Sequence, residues 1–409
     1  MEPEETVGII ELGDIEIKCL IFKIKKDDEV EILSSSITSS DGINKDIIEN
    51  LSKASNAIRK CISYAEKEAK VSLKRINVLF EQPDFLSTKL SKHKKINGTK
   101  IHKEDIDFLL KEAKKQIILN DENQSIIHIF NYNYIVDGKT FVEEPIGFYA
   151  DNLTHEITFV TTLKNNLKNI NQAFIDCDIE VERFISKTFA SGVKLFNNEE
   201  LNSGSILIDL GFNKISIGLF KNLALAHSIT FPFGVNHIAK DLSKVCSLNL
   251  KESQKIIDNI DFAFASFQNI FDENDYLKNT YFINSNFRKI SKKLVLDVIK
   301  ARASEIIDKI KKQLNGVDLK INFTSNVLVV GEGSNFLNIK KYFLDLLGIN
   351  PRRSIDEIDA RDDFEKKFSS SLGALKIISY GWETEAIPKK RERNIEKVSF
   401  FAKLFRTYK

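Results

Sequence analysis

Two short segments combine a carboxylate with a glycine in a spacing that could serve phosphate or metal chemistry. In one of them, Asp209-Leu210-Gly211 follows an apolar run at 206–208, and apolar and small residues alternate over 215–219. The apolar run and the alternation predict two strands of a hairpin, with the carboxylate and the glycine at its tight corner. Such a corner can approach a phosphate or a hydrated Mg²⁺.

The second segment lies near the start of the chain and repeats this pattern. Glu11-Leu12-Gly13 has the same carboxylate–Leu–Gly order, and Ile17, Ile21 and Phe22 follow at the spacing of the apolar residues after Asp209. One such hairpin is weak evidence, because similar turns are common in sheets. Two copies, each opening one half of the chain, predict two similar α/β lobes that face one another across a cleft.

Hydrophobic periodicity predicts the elements that must position these corners. Strands are expected at 29–40, 75–80, 179–185, 224–231 and 326–330. Helices are expected at 45–69, 163–174, 188–195, 236–246, 251–259, 290–314 and 369–380, with one more ending near 347. Residues 81–162 are interpreted as a small inserted α+β domain, with a solvated Lys-rich loop at 89–100, a helix at 102–118 and strands at 126–131, 132–136 and 155–161.

Composition indicates a soluble globular protein of two to four domains. The chain has 409 residues, of which 42% are hydrophobic and 29% charged. It has no apolar run of the roughly 18 residues that a membrane-spanning helix needs, and its N-terminus lacks a signal-peptide core, so a cytoplasmic location is expected. The four cysteines form no CxxC pair, which argues against a disulfide framework or a metal site.

The last residues differ in charge from the rest of the chain. Residues 389–409 carry a net charge of +6, which leaves the remainder at −4. On a helix over 395–409 one face is apolar and aromatic and the other basic, which suits a helix lying in the headgroup plane of an anionic membrane. The residues expected to bind the membrane are Val398, Phe400, Phe401, Lys403, Leu404, Phe405 and Arg406. The alternative is a terminal helix docked on the body of the protein.

Four motifs follow one another along the chain: FNYNYIVDG at 130–138, EPIGFYADNL at 144–153, VIKARASEII at 298–307 and VLVVGEGSNFL at 327–337. In this order they resemble motifs of the FtsA family, bacterial actin-like division proteins of the actin/Hsp70/sugar-kinase superfamily. The first two are similar to the subdomain inserted in that family. The third resembles a helix of its second lobe, and the fourth resembles its adenosine motif.

The resemblance implies an α/β, actin-like two-lobed fold with a small inserted α+β subdomain of FtsA type and a C-terminal amphipathic helix. The large subdomain of the first lobe would comprise 1–80 and 163–200, with 81–162 inserted. The second lobe would have a large subdomain at 201–243 and 322–386 and a small one at 244–321. Residues 387–409 would form a linker and the membrane-targeting helix.

The resemblance also implies ATP and Mg²⁺ as ligands held between the lobes. By correspondence with the family, the nucleotide-binding residues would be Glu11, Gly13, Asp209, Gly211, Gly234, Gly331, Gly333 and Ser334. Glycines suit this role because backbone N–H groups must come within hydrogen-bonding distance of phosphate oxygens. No catalytic residue and no metal ligand is assigned.

The sequence departs from the family pattern at these loops. Asp14 and Glu16 stand where the family has a small hydroxyl residue and a lysine, and Glu11 replaces an aspartate. Carboxylates beside a triphosphate repel it unless a metal intervenes. The other departures are Phe212, Asn213, Ser216, Gln254, Ile257 and Glu332. They predict at most weak ATP binding or hydrolysis, so an enzymatic role is not expected.

The resemblance implies a role in septum formation in the cell cycle, as an adaptor that tethers FtsZ filaments, the Z ring, to the membrane. The protein would be peripheral, on the cytoplasmic side of the cell membrane at the division site. It would bind the C-terminal tail of FtsZ through Arg302 and Glu305, associate with itself as a filament and recruit further division proteins, but no nucleic acid. A PilM-like pilus-assembly adaptor and a weak ATPase of the same superfamily remain alternatives.

Overall fold

The structure is a computed structural model that describes residues 5–25, 29–141, 143–262, 274–283, 289–315, 326–331, 333, 338–348 and 362–380. Its strands are β1 Glu5–Glu11, β2 Glu16–Ile24, β3 Val30–Ser39, β4 Ile43–Asn44, β5 Ile47–Ile48, β6 Arg75–Phe80, β7 Leu86–Lys100, β8 Gln124–Val136, β9 Lys139–Phe141, β10 Tyr149–Leu163, β11 Glu180–Ser186, β12 Ser205–Leu210, β13 Ile215–Lys221, β14 Ala224–Phe231 and β15 Val327–Val330. Its helices are α1 Leu51–Ala69, α2 Lys103–Asn120, α3 Lys164–Ile175, α4 Lys187–Leu195, α5 Asn198–Ser203, α6 Asn236–Val245, α7 Leu250–Asp258, α8 Lys292–Asn315, α9 Ile339–Leu347, α10 Asp363–Lys367 and α11 Ser369–Tyr380.

The chain divides into two compact units. The first unit contains the described residues of 1–205, 218–230 and 362–409, and the second contains those of 206–217 and 231–361. The subdomain bounds expected from the sequence follow a finer division and stay a prediction. Within the described residues, no helix is both long and apolar enough to cross a membrane.

A five-stranded sheet in the order β11-β6-β1-β2-β3 forms the centre of the first unit. β1 and β2 pair antiparallel, as the predicted first hairpin requires, while β1 and β6 run parallel. Apolar residues of β1, β2 and β6 are buried, and α1 packs its apolar face on β2 and β3. The sheet thereby holds the Glu11 corner at the end of β1.

The inserted region of the first unit is a four-stranded sheet, β7-β10-β8-β9, with α2 packed on one face. Its core contains Ile96, Leu109, Tyr134 and Leu153, together with other apolar residues of the same face. The expected loop at 89–100 is wrong, because these residues belong to the strand β7. The two strands expected at 126–131 and 132–136 are one strand, β8.

A third sheet has the order β14-β13-β12-β15 and contains the second predicted hairpin. β12 and β15 run parallel, and their register pairs Asp209 with Val330. The predicted strand at 326–330 is thereby confirmed. This pairing brings the Asp209 corner and the glycines after β15 to the same end of the sheet.

Two helices differ from their predicted form. The helix expected from residue 45 begins at Leu51, because the Asn50 side chain caps it by accepting from the N–H of Lys53. In α8, Leu294 is exposed whereas Val295, Leu296 and Ala303 are buried. Ile299, Ile306, Ile307 and Ile310 are buried as well, so α8 packs one continuous apolar face and Leu294 lies beside it.

Candidate functional site

The first candidate corner lies at the end of β1, within the first unit. The antiparallel register places Glu11 opposite Lys18, and Glu11 Oε1 lies 3.9 Å from Lys18 Nζ. Ser370, on α11, donates its hydroxyl proton to Glu11 Oε2. The carboxylate is therefore held by a neighbouring strand and by a helix that lies far away in the sequence.

Lys187, the first residue of α4, is the central cation of this corner. Its Nζ donates to the carbonyl oxygen of Leu12 at 2.5 Å. The same Nζ lies 3.1 Å from Asp46 Oδ2 and 3.7 Å from Glu11 Oε1. The ammonium group is thus bound to two carboxylates and to the backbone of the Glu11-Leu12-Gly13 turn.

Asp46 enters the corner from the short connection between β4 and β5, where its φ is +57°. It is fully buried, and its Oδ2 accepts from the N–H of Glu81 at 2.8 Å. Its carbonyl oxygen accepts from Gln82 Nε2 at 2.6 Å, and its own N–H donates to Asp14 Oδ1 at 3.3 Å. These bonds fix the Asp46 carboxyl group, which no motif in the sequence indicates.

The charges of the first corner compensate one another. Burial raises the pKa of the Glu11 carboxyl. Lys18, Lys187 and the Ser370 hydroxyl together lower that pKa by more than burial raises it, so it lies below its ordinary value. Asp46 Oδ2 lies beside Lys187 Nζ, and Asp14 Oδ1 accepts from the Asp46 N–H, so carboxyl groups already crowd the turn that would have to receive phosphate. A triphosphate would add several negative charges here, so the residues present do not fit it.

The second candidate corner, in the second unit, lies at the end of β12. Gly331 follows β15 with a φ of +98°, and a Cβ atom there would lie 2.1 Å from Asp209 Oδ1 and 2.7 Å from the carbonyl oxygen of Leu210. Only glycine permits this close approach together with this φ. The glycine therefore packs backbone against the carboxylate and the turn after it.

The turn after Asp209 is bonded to the N-terminus of α6. The N–H of Val235 donates to Gly211 O at 3.1 Å, and the N–H of Asn236 donates to Phe212 O at 2.9 Å. Asn236 Nδ2 also donates to Asn213 Oδ1 at 3.0 Å. N–H groups at a helix N-terminus can bind phosphate, but these two are bonded to carbonyl oxygens of the turn.

Some of the other residues discussed for the nucleotide site are buried or hydrogen-bonded within a helix, and some lie outside the described residues. Ser216 and Ile257 are buried, and Gln254 Nε2 donates to Asp258 Oδ1 at 2.9 Å along α7. Ser334 and Glu332 lie outside the described residues. Among the described residues there is no cluster of three or more His, Cys, Asp or Glu side chains that could hold a metal ion.

The residues expected to bind FtsZ form an ion-pair network between α6 and α8 in the second unit. Arg302 Nε donates to Asp241 Oδ2, and Arg302 Nη1 donates to Glu305 Oε2 at 2.6 Å. Lys309 Nζ donates to Glu305 Oε1 at 2.7 Å and lies 5.0 Å from the centre of the Phe233 ring. The structure therefore brings the two predicted residues together and adds Asp241, Lys309 and Phe233 to them.

Some predictions lie beyond what the structure describes, and some site residues were not predicted. The membrane-binding residues expected within 398–406 lie outside the described residues. Lys187, Asp46 and Ser370 were not identified, since none belongs to a motif and each is far in sequence from Glu11. The only signal was the position of Lys187 between the predicted strand at 179–185 and the predicted helix at 188–195.

Comparisons with known proteins agree with this architecture. Residues 85–161 match the family described as the SHS2 domain inserted in FtsA. A cell division protein FtsA of Buchnera aphidicola is 24% identical over 324 residues, covering 79% of this chain and 76% of the relative. The FtsA of Neisseria meningitidis is 23% identical and covers 81% and 78%, and that of Borreliella burgdorferi is 23% identical and covers 90% and 89%.

Solved structures show the same fold at low identity. A structure of the PilM–PilN type IV pilus biogenesis complex has a TM-score of 0.60 at 10% identity and covers 91% of this chain and 98% of that one. MreB5 of Spiroplasma citri bound to ADP has a TM-score of 0.50 at 13% identity and covers 92% and 97%. The chain therefore has an actin-like α/β fold that carries the SHS2 domain inserted in FtsA, and the FtsA resemblance predicted from its sequence is confirmed.

Proposed function

We propose that this protein is an actin-like cell-division adaptor that tethers FtsZ filaments to the cytoplasmic face of the cell membrane. In this role it binds the C-terminal tail of FtsZ, lies on an anionic membrane through its own C-terminus and helps to recruit further division proteins. It also associates with itself as a filament. The observation that carries the proposal is the SHS2 domain at 85–161 within an actin-like fold.

The basic C-terminal sequence supports the membrane part of the proposal. Residues 389–409 contain eight Lys or Arg and two Glu, and their large apolar side chains recur with helical spacing. Each basic residue beside an anionic surface contributes about 1 kcal/mol to membrane binding. Apolar side chains on the other face would enter the headgroup region.

The α6–α8 network supports the FtsZ part of the proposal. Arg302 is a planar cation with several donors, and such a group binds carboxylates of an acidic tail in two-point geometry. Asp241 and Glu305 hold its side chain on α8. Lys309 lies over Phe233 and offers a second cation beside an aromatic surface.

Nucleotide plays a minor part in the proposed function. At the first corner the Lys187 ammonium group lies between the Glu11 and Asp46 carboxylates. At the second corner the N–H groups at the α6 N-terminus are bonded to the turn that follows Asp209. We therefore propose tethering that requires no ATP hydrolysis. The ADP-bound MreB5 structure supports nucleotide binding in that neighbour and raises weak binding here as an alternative.

A PilM-like adaptor is the second candidate function. The PilM–PilN structure has a TM-score of 0.60, so the fold alone is compatible with pilus assembly. The amphipathic C-terminal sequence favours the membrane tether instead. Binding of a short pilus-protein peptide, without binding of FtsZ, would favour the PilM-like function.

Co-sedimentation of FtsZ with anionic liposomes tests the proposal. We would compare the full chain with a chain truncated after Pro388 and with Arg302→Ala in the full chain. We expect the full chain to carry FtsZ into the pellet. The truncated chain should leave both proteins in the supernatant, whereas Arg302→Ala should itself sediment but carry less FtsZ.

Controls separate the two parts of the proposal. Lys300→Ala changes another cation on α8 and should leave FtsZ recruitment unchanged. Full chain that stays in the supernatant at low and physiological salt would refute the membrane tether. Full chain that sediments without FtsZ would refute the FtsZ adaptor and direct the test to pilus-protein peptides.

A further inference from the structure

The inserted domain has a long edge strand. β7 spans 15 residues and lies at the end of the sheet order β7-β10-β8-β9. Its pairing with β10 is continuous from Leu86 to Lys95. Among the strands that the structure describes, β10 alone pairs with it, so the other edge of β7 faces away from the sheet.

The backbone of this edge can accept another strand. In an antiparallel pair, successive residues direct their N–H and C=O groups alternately to the partner and to the opposite side. About half of the ten residues over 86–95 therefore present both groups at the outer edge. Natural edges are protected by shortness, bulges, proline or charged side chains, and over 86–95 only the last of these, lysine, is present.

The side chains of β7 are basic. The strand contains lysines at 89, 92, 94, 95 and 100, together with His93, and no acidic residue. Lys89 lies 3.3 Å from Glu156 and Lys94 lies 2.7 Å from Asp105, so these two are neutralised within the domain. Lys92 and Lys95 form no ion pair with any residue that the structure describes.

We propose that the outer edge of β7 binds an acidic, extended segment of a partner protein as an added strand. Backbone hydrogen bonds would supply the common part of the affinity, and carboxylates of the segment would pair with Lys92 and Lys95. Lysines on an edge also repel a second basic edge, which prevents two copies of this domain from pairing. The same lysines thus repel a basic strand and attract an acidic one.

Fluorescence anisotropy with the full chain tests this proposal. The probe is a labelled peptide of alternating Glu and Val, and its matched control is the same peptide N-methylated at every residue, which keeps the charge but leaves no N–H group on either edge to form a ladder. We expect the first peptide to bind and the methylated one to bind at least about tenfold more weakly, a loss of ~1.4 kcal/mol. Amide exchange within 86–95 should slow only with the first peptide.

Charge variants locate the site. Lys92→Glu/Lys95→Glu should lose binding of the acidic peptide, whereas Lys111→Glu/Lys115→Glu, on the exposed side of α2, makes the same charge change and should retain it. Circular dichroism checks that both variants fold. Strand addition would be overturned if the methylated peptide bound equally well or if both variants lost binding equally. It would also be overturned if phosphatidylglycerol vesicles displaced the acidic peptide from Lys92 and Lys95.

Discussion

Lys187 determines the electrostatics of the first corner. Its ammonium group contacts the Leu12 carbonyl oxygen and lies beside Asp46 and Glu11, all with little exposure to water. The Lys187 ammonium group compensates the charge of buried carboxylates, as a bound metal ion would. Lys187 therefore offsets the Glu11 and Asp46 carboxylates within the first unit.

Replacement of Lys187 by methionine should destabilise the first unit strongly. The variant leaves the buried Asp46 carboxylate without its ammonium partner, and breaking a buried pair typically costs about 3–5 kcal/mol. Lys194→Met on the same helix is the matched control, because Lys194 pairs with the more exposed Glu365 at 2.9 Å. That change should cost about 1 kcal/mol or less. Urea denaturation measures both, and equal losses would contradict the assigned role.

His155 should make the inserted domain sensitive to acid. Burial, with a smaller contribution from Lys103, lowers the pKa of His155 from 6.5 to about 3. The unfolded chain therefore takes up a proton as the pH falls through 6.5 while the folded chain does not, and stability declines towards lower pH. The contribution is at most about 1.4 kcal/mol per pH unit.

The variant His155→Phe tests this acid sensitivity. The ring stacks on Tyr134 with centroids 4.3 Å apart, a contact that phenylalanine can keep, but the bond to Asn131 Oδ1 at 3.0 Å is lost. We expect the variant to be about 1 kcal/mol less stable at pH 7. Between pH 7 and pH 5 the parent should lose up to roughly 2 kcal/mol relative to the variant, so the gap should close and the variant should become the more stable protein by up to about 1 kcal/mol. Denaturation at both pH values measures it, and a constant gap would refute the assignment.

At the scale of elements, α11 packs unusually closely on α4. A Cβ atom on Gly373 would lie 1.8 Å from the carbonyl oxygen of Ala190 and 2.6 Å from its carbonyl carbon. Both atoms belong to the backbone, so no side chain can move to make room. This contact lets α11 bring Ser370 to Glu11.

Gly373→Ala should therefore destabilise the first unit. Overpacking of this kind typically costs about 1–3 kcal/mol, which outweighs the roughly 1 kcal/mol that alanine gains over glycine in a helix. Thermal denaturation of the variant and the parent measures the difference. A stabilised variant would show that the two helices are not packed as closely as described.

The elements also show where sequence patterns succeed and fail. Runs such as 206–208 and 75–80 are buried on both faces, so their strands follow from composition alone. β7 was predicted as a loop because an edge strand can carry lysines along its length and resemble a solvated segment. α1 starts late because the Asn50 cap decides its first residue, whereas Ile47 and Ile48 keep a helical spacing although they form β5.

Site residues were harder to predict than strands. Glu11, Gly13, Asp209 and Gly331 follow from motifs, because local turn chemistry demands those residue types. Lys187 and Asp46 are separated by many residues, and only the parallel pairing of β6 with β1 and β11 brings them to one corner. Neither periodicity nor spacing contains that information.

At the scale of the whole molecule, charge is divided between a mildly acidic body and a basic C-terminus. Residues 389–409 have a net charge of +6, whereas the chain as a whole has +2. An anionic membrane should therefore attract the end of the chain and repel the body, which favours a tether over broad adsorption. The same division predicts that membrane binding weakens as salt rises.

MgATP should change the stability of the whole protein very little. At about 1 mM nucleotide, a dissociation constant no tighter than 1 mM gives at most about 0.4 kcal/mol of stabilisation, whereas binding a hundredfold tighter gives about 2.7 kcal/mol. Asp14→Thr/Glu16→Lys replaces two carboxylates at the first corner and should increase the stabilisation, because a lysine there attracts phosphate. Glu31→Lys, on the exposed part of β3, raises the net charge by +2, against +3 for the double variant, and should not increase the stabilisation. Thermal denaturation with and without MgATP measures all three proteins, and a shift of several kcal/mol in the parent chain would contradict the weak binding predicted here.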